Sequence, residues 1–372
     1  MKCWLFGAVA SWALCFAFGQ GDTVDEVLFT SGDAGYECFR IPALVSKDGR
    51  EVFAFCEGRK EGCNDFGNVD IVMRRSENGG TTWSPLKVVA DRGDLQAGNP
   101  APVWDESNLH HPDGVLMLFY NTGTASEWEV RSGQGRRQGW FITSTDHGQT
   151  WTTPENISHF IHFDAQSDRP EMDERTLAFT PGHAIQLKHP AHAGRIYVAA
   201  NHSSGPPQSE FADYRSVGFY SDDHGQTWER SENVAYPSSN EAMAVERTDG
   251  LLQLNIRIQD GAIRRRLIAE SNDGGVHWDS IYVDDQLVSP VCQGSVLCAR
   301  GDTLVYVGPN DEWERRNLSL WMDVGGGWLM PKLIHPGFAA YSDCVALQPG
   351  HIGVLFEAEA YSEIRFKTMS LN

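Results

Sequence analysis

The sequence predicts an all-β fold, a six-bladed β-propeller, and three observations carry that reading. A hairpin signature recurs four times along the chain. Ser76-Glu77-Asn78-Gly79-Gly80-Thr81-Thr82-Trp83 returns as Ser144-Thr145-Asp146-His147-Gly148-Gln149-Thr150-Trp151, as Ser221-Asp222-Asp223-His224-Gly225-Gln226-Thr227-Trp228, and as Ser271-Asn272-Asp273-Gly274-Gly275-Val276-His277-Trp278. The copies lie roughly 50 to 77 residues apart, a spacing in the range of propeller blades, and four short strands per blade divide the chain into about six blades. Helix signals are scarce: 37 glycines and 17 prolines punctuate the sequence, and no apolar period near 3.6 is sustained.

Taken in order, the chain begins with a leader. Lys2 opens a short basic start, Trp4 to Phe18 is apolar but too short to span a membrane comfortably, and Ala17-Phe18-Gly19 offers small residues for a signal peptidase. Residues 1–19 are read as a signal peptide and residues 20–372 as one propeller domain. No later apolar run approaches transmembrane length, so no integral membrane segment is expected, and the destination is secretion or a lysosome-like lumen. Fifty acidic residues against thirty basic ones give a formal charge of −20, which argues against nucleic acid as a partner. An anion site in such a chain has to be a local cluster of arginines, because charge on the rim is screened within about 8 Å at physiological salt. Six cysteines remain after the leader, an even number compatible with disulfides, and none forms the CxxC pair of a zinc site. The sequons at Asn156, Asn201 and Asn317 are permissive only.

Each part of the repeat has a physical reason. The Asp or Asn caps a tight turn, the glycine supplies positive φ, and the tryptophan is expected to fold back on its hairpin as an apolar plug. Asn272-Asp273-Gly274 lacks the ligand ladder and distal Glu of a helical calcium loop, so the repeats read as structural and no metal is expected.

Cys38-Phe39-Arg40-Ile41-Pro42-Ala43-Leu44-Val45 reads as a strand whose arginine points into something enclosed. An inward guanidinium needs an anion. A structural acid elsewhere in the fold or a bound carboxylate or phosphate would each serve.

Phe39-Arg40-Ile41-Pro42 together with four such repeats, known as Asp boxes, resembles the sialidase family, exo-acting enzymes that remove terminal sialic acids on a six-bladed propeller. The resemblance runs from about Val27 to near the C-terminus. It implies a carboxylate clamp of Arg40, Arg257 in Leu254-Asn255-Ile256-Arg257, and Arg315 in Arg315-Arg316-Asn317-Leu318-Ser319. Arg315 fits the family pattern better than Arg316, and strand alternation lets only one of the two point inward. A carboxylate nucleophile would meet repulsion at a carbon already bearing a carboxylate, so a neutral tyrosine paired with a glutamate suits the chemistry. Tyr341 in Ala339-Ala340-Tyr341-Ser342-Asp343 and Glu241 in Asn240-Glu241-Ala242-Met243 match those positions. Asp65 matches the acid on the family's loop, with Asp70 the rival, and Gly62 and Gly67 suggest that the loop could close on substrate.

In the family, the acid at Glu357 holds the first arginine. Glu57-Gly58-Arg59 matches a further pattern in which Arg59 reaches the ring substituents, and Asn99-Pro100-Ala101-Pro102-Val103 and Gly182-His183-Ala184-Ile185-Gln186-Leu187 fall where blade strands border the site. Trp128, Phe66, Phe160 and Met243 are candidates for an apolar wall around the acylamino group. Cys56 and Cys63 bracket the segment leading to Asp65, so a disulfide there could tie down the acid loop, and Cys292 with Cys298 is the other local pair. The resemblance implies a retaining exo-α-sialidase without cofactor, acting on sialylated glycoproteins, glycolipids or oligosaccharides. Transfer to another sugar, intramolecular release, or a preference for a deaminated sialic acid (Kdn) are alternatives on the same scaffold, and a non-catalytic propeller binding sialylated glycans is the alternative of another class.

Overall fold

The computed structural model describes residues 24–299, 301–348 and 350–371. The leader assigned to residues 1–19 lies outside them, and among the described residues no helix is long and apolar enough to cross a membrane.

The strands sort into antiparallel meanders of four, following one another along the chain. The first comprises Cys38–Lys47, Glu51–Arg59, Val69–Ser76 and Lys87–Ala90, and the second Gln96–Asp105, Val115–Gly123, Arg137–Ser144 and Glu155–Asn156. The third runs Glu174–Phe179, Ile196–Ser204, Tyr214–Ser221 and Glu229–Arg230, with short Ile185–Gln186 also paired to its second strand. Ser239–Glu246, Leu252–Ile258, Arg265–Ser271 and Ser280–Val288 make the fourth. Ser295–Cys298, Leu304–Pro309 and Arg316–Asp323 begin the fifth, which is completed by the front half of the long strand Lys332–Leu347. From Ala339 onward that same strand starts the last meander, followed by His351–Ala358 and Glu363–Ser370, and the N-terminal strand Asp25–Thr30 is its outer edge. The first strands of successive meanders are neighbours in a ring: Cys38–Lys47 lies against both Gln96–Asp105 and Lys332–Leu347. This is the β-propeller architecture.

The core is divided among the seams between meanders. Along Glu51–Arg59, Val52, Ala54 and Cys56 pack with Leu355 and Phe366 of the last meander, whereas Phe53 and Phe55 pack with Trp104, Leu116 and Tyr120 of the second. Both faces are buried, so the strand reads in sequence as a nearly unbroken apolar run.

The Asp boxes close the turns between third and fourth strands. In every copy the serine hydroxyl accepts from the glycine amide, at 2.9 Å for Ser76–Gly80, 2.8 Å for Ser144–Gly148, 2.8 Å for Ser221–Gly225 and 2.9 Å for Ser271–Gly275. The Asx carboxyl or amide oxygen then accepts from the amide four residues on, at 2.8 Å in both Asp146–Thr150 and Asp223–Thr227. Three of the four tryptophans differ from the expected plug. Trp83 meets Phe366 of the last meander edge-on at 5.0 Å, Trp151 meets Phe55 of the first, and Trp228 packs on Phe119 and Phe141 of the second. A two-layer hairpin has no interior to hold an indole, and the nearest dry volume is the seam with the preceding meander.

The disulfide also differs. Cys63 bonds Cys38, not Cys56, with an S–S distance of 1.99 Å. Cys56 points from its strand into the seam core, while Cys63 sits over the beginning of Cys38–Lys47. Cys292 and Cys298 are both free, the first buried and the second partly so.

Candidate active site

The leading ends of the inner strands converge on one polar cavity of about 230 Å³. Arg40 and Ile41, Asn99, Asn240 and Glu241, and Tyr341 are all supplied from these ends, joined by Arg257, Arg315, Arg59 and Asp65. The other ends of the same strands, at Leu44–Ser46, Val103–Trp104 and Ala244–Glu246, line a larger cavity of about 660 Å³ that holds none of these groups.

At the centre, Tyr341 donates its hydroxyl hydrogen to Oε1 of Glu241 at 2.5 Å. Nη1 of Arg257 donates to Oε2 of the same glutamate at 2.6 Å and to the Tyr341 oxygen at 2.8 Å. The guanidinium carbons of Arg40 and Arg315 each lie 5.4 Å from the Tyr341 ring. Burial and the Glu241 charge hold the Tyr341 pKa well above that of an ordinary phenol, against the opposing pull of Arg257 and Arg315. The hydroxyl is therefore neutral, bonded to a carboxylate that can take its proton as the oxygen attacks.

Arg40 is fixed from behind. Glu357, fully buried, accepts from Arg40 Nε at 2.6 Å and Nη2 at 3.3 Å, and from the amides of Ile41 at 2.9 Å and Tyr341 at 3.1 Å. One carboxylate thus ties the first arginine to the backbone of the tyrosine, and holds Ile41 at a φ of 60°, unusual for a β-branched residue. Burial works against the charges of Arg40 and Arg257, but Glu357 and Glu241 respectively more than restore them, leaving both pKa values above the ordinary guanidinium value. Arg315 donates to Tyr361 and to the Val291 carbonyl, while Arg316 is turned to solvent with Asp311.

Asp65 sits at the exposed mouth, 2.9 Å from Nη1 of Arg59 and 3.5 Å from Nη1 of Arg40. Burial raises its pKa, but Arg59 and Arg40 outweigh this and hold the carboxyl below its usual range. Its loop is anchored by the Cys38–Cys63 bridge and by the Cys63 carbonyl, which accepts from Arg59 at 2.6 Å. Asp70, the rival acid, is buried away from the cavity, bonded to the Tyr36 hydroxyl at 2.7 Å and Lys60 at 2.9 Å. Arg59 is itself buried and clamped by Glu57 at 2.9 and 2.6 Å.

All eight residues singled out in the sequence therefore meet here: seven line the cavity and Glu357 braces it from below. None of the four candidates for an apolar wall is among the residues lining the cavity. Trp128 is 66% exposed, Phe160 lines a separate groove with Phe163 and Arg169, and Met243 is sealed in the core beside Gly182. Phe66 faces the guanidinium of Arg137, 5.8 Å from the ring centroid. Polar residues occupy that side instead: Gln96, Asn121, Glu127, Arg137 and Asn201. Tyr361, 4.3 Å from the guanidinium carbon of Arg40, was also missed, since it sits in a short irregular turn without a pattern.

A family model described as BNR repeat-like domain matches residues 51–354. The chain is 29% identical to the "Sialidase" of Micromonospora viridifaciens over 91% of its length and about half (53%) of that protein's. It is also 29% identical to the "Sialidase-2" of Cricetulus griseus, covering 93% of this chain and 95% of that one. Among solved structures, a "Hadza microbial sialidase Hz136" superposes with a TM-score of 0.75 at 22% identity, over 92% of this chain and 67% of that one. A leech intramolecular trans-sialidase superposes with a TM-score of 0.73 at 18% identity, over 94% and 70%. At these identities the solved structures speak for the fold, and the family match over most of the chain for descent. The chain belongs to the BNR repeat-like family and, within it, to the sialidases.

Proposed function

We propose that the protein is a retaining exo-α-sialidase that releases terminal sialic acids from glycoproteins, glycolipids or oligosaccharides. The observation that carries this reading is the three-way contact of Tyr341, Glu241 and Arg257, because a tyrosine hydroxyl bonded to both a base and a cation serves an attack that a carboxylate cannot make. The substrate carboxylate lies among Arg40, Arg257 and Arg315, whose charge-assisted bonds offset its desolvation. Tyr341 attacks the anomeric carbon as its proton passes to Glu241, and the glycosidic C–O bond breaks as Asp65 protonates the leaving oxygen. Asp65 then deprotonates a water that displaces the tyrosine, which recovers its proton from Glu241, and the anomeric configuration is retained. Residues 20–372 act as one catalytic domain, and the Cys38–Cys63 bridge fits an oxidising, secretory destination.

The test is turnover of a chromogenic sialoside by the wild type and by Tyr341→Phe and Glu241→Gln, with the released sugar followed by NMR. Wild type releases the α-anomer first. Glu241→Gln loses about 10²- to 10⁴-fold in kcat, the usual worth of a general base, and Tyr341→Phe loses at least as much. A wild type inactive from acidic to neutral pH, with acetylated and deaminated sugars alike, would return the arginine cluster to a lectin role.

A further inference from the structure

One side of the cavity has no task in the hydrolysis described above. Arg137, at the head of the strand Arg137–Ser144, is 7% exposed and lines the cavity. Its Nη1 donates to Oε1 of Gln96, and the carboxylates of Glu127, Glu57 and Asp65 act on it through space. Room for the guanidinium exists because Gly123 lacks a side chain: a Cβ there would stand 2.4 Å from Nη1 of Arg137. Beside it, Oδ1 of Asn121 accepts from the amide of Phe179 at 2.7 Å. That bond fixes the orientation of the amide, so the Asn121 NH₂ is left as a donor, and this buried nitrogen has no partner. Nδ2 of Asn201, on a residue 2% exposed that also lines the cavity, is a second buried donor without a partner. Buried donors are rarely left unpaired, and several around one cavity describe a ligand rich in acceptors.

The orientation of a sialic acid in the proposed site follows from its own chemistry. With its carboxylate in the arginine clamp and its anomeric carbon at Tyr341, the opposite ring carbons and their substituents extend to the far wall. An acylamino group at carbon 5 would bring a methyl group needing apolar surface. The apolar lining amounts to Ile41, Leu177 and Ala178, and Ile41 belongs to the clamp. A methyl group facing Asn121 and Asn201 would leave their already buried donors without an acceptor, whereas a hydroxyl would accept from them.

We propose that Arg137, with Asn121 and Asn201, is a specificity-determining group that selects sialic acids carrying a hydroxyl at carbon 5, the deaminated class, over those carrying an acylamino group. The proposal rests on the sialidase reading for the placement of the sugar. It is tested by kcat/KM for matched chromogenic glycosides of Kdn and N-acetylneuraminic acid, with wild type, Arg137→Met and Arg137→Lys. Wild type favours the deaminated sugar at least tenfold, mainly through KM. Arg137→Met loses that preference by a drop on the deaminated sugar alone, and Arg137→Lys keeps part of it. Equal or faster turnover of the acetylated sugar by wild type, or an equal loss on both sugars in Arg137→Met, overturns the proposal. If Arg137→Met does not fold, the wild-type ratio decides. If wild type hydrolyses neither sugar, the hydrolase reading fails by itself, and calorimetry with the two free sugars decides this one: tighter binding of the deaminated sugar sustains it, and any other result overturns it.

Discussion

Glu357→Gln is the substitution with the widest reach, because one fully buried carboxylate serves both the arginine clamp and the tyrosine backbone. Glutamine fills the same space and can keep its oxygen where Oε1 stands, accepting from Arg40 Nε and Ile41 N. Its NH₂ group then faces Nη2 of Arg40 and the amide of Tyr341, which lie 3.3 and 3.1 Å from Oε2 in the native arrangement and are both donors. Two hydrogen bonds become donor–donor contacts, and the buried Arg40 charge loses its buried counter-ion, keeping only the exposed Asp65 at 3.5 Å. Breaking a buried ion pair from one side costs about 3–5 kcal/mol, a large share of the roughly 5–15 kcal/mol that stabilises a typical fold. Urea unfolding monitored by tryptophan fluorescence reads this loss. Steady-state kinetics on the folded fraction should show KM rising severalfold or more, since Arg40 no longer has a fixed rotamer. A stability loss below about 1 kcal/mol with unchanged KM would refute the reasoning and reduce Glu357 to one acid among many.

Two further predictions follow from the same geometry. In the free protein Arg59 and Arg40 hold the Asp65 pKa down, so a carboxylate ligand that occupies Arg40 takes away part of that support and raises the pKa in the complex. A group whose pKa rises on binding takes up a proton, so affinity for an anionic, non-hydrolysable sialic acid analogue increases as pH falls through the value in the complex. Calorimetry in buffers of different ionisation enthalpy should show proton uptake in wild type and less in Asp65→Asn; equal uptake in both would assign the proton elsewhere. The first Asp box offers a paired test of the seam, since Gly79 and Gly80 have φ of 69° and 88°. A Cβ at Gly79 meets nothing within 4 Å, but one at Gly80 would lie 2.1 Å from the Phe366 ring. Gly79→Ala should cost only the left-handed backbone penalty of about 1–2 kcal/mol, and Gly80→Ala about 1–3 kcal/mol more, with activity per folded molecule unchanged; equal thermal shifts would mean that the seam relaxes freely.

What was legible in the sequence shares a property: it recurs or it alternates. The Asp boxes repeat, so their turns could be read with the serine, Asx and glycine in their roles. Arg315 could be separated from Arg316 because neighbouring strand residues face opposite ways. The residues missed depend on which segments meet in space. Local sequence points Trp83 at its own hairpin, because nothing local encodes the seam that holds its partner Phe366, far away in sequence. Sequence proximity pairs Cys63 with Cys56, whereas the bridge follows the approach of the acid loop to Cys38. The far wall combines Gln96, Asn121, Arg137 and Asn201 from two meanders, each in a different strand, and no one-dimensional spacing joins them.

The strand Asp25–Thr30 belongs to the same sheet as Glu363–Ser370, with Asp25 opposite Lys367. The earliest and latest strands of the described chain thus complete each other. Loop-closure entropy grows slowly, about 0.6 kcal/mol for each doubling of length, so this pairing costs roughly 3 kcal/mol more than closing a ten-residue hairpin. During synthesis the first strand waits unpaired until the final one leaves the ribosome. The ring is thus fastened by its most distant contact, and a nascent chain carries two open sheet edges, its seams forming one after another, until that fastening is made.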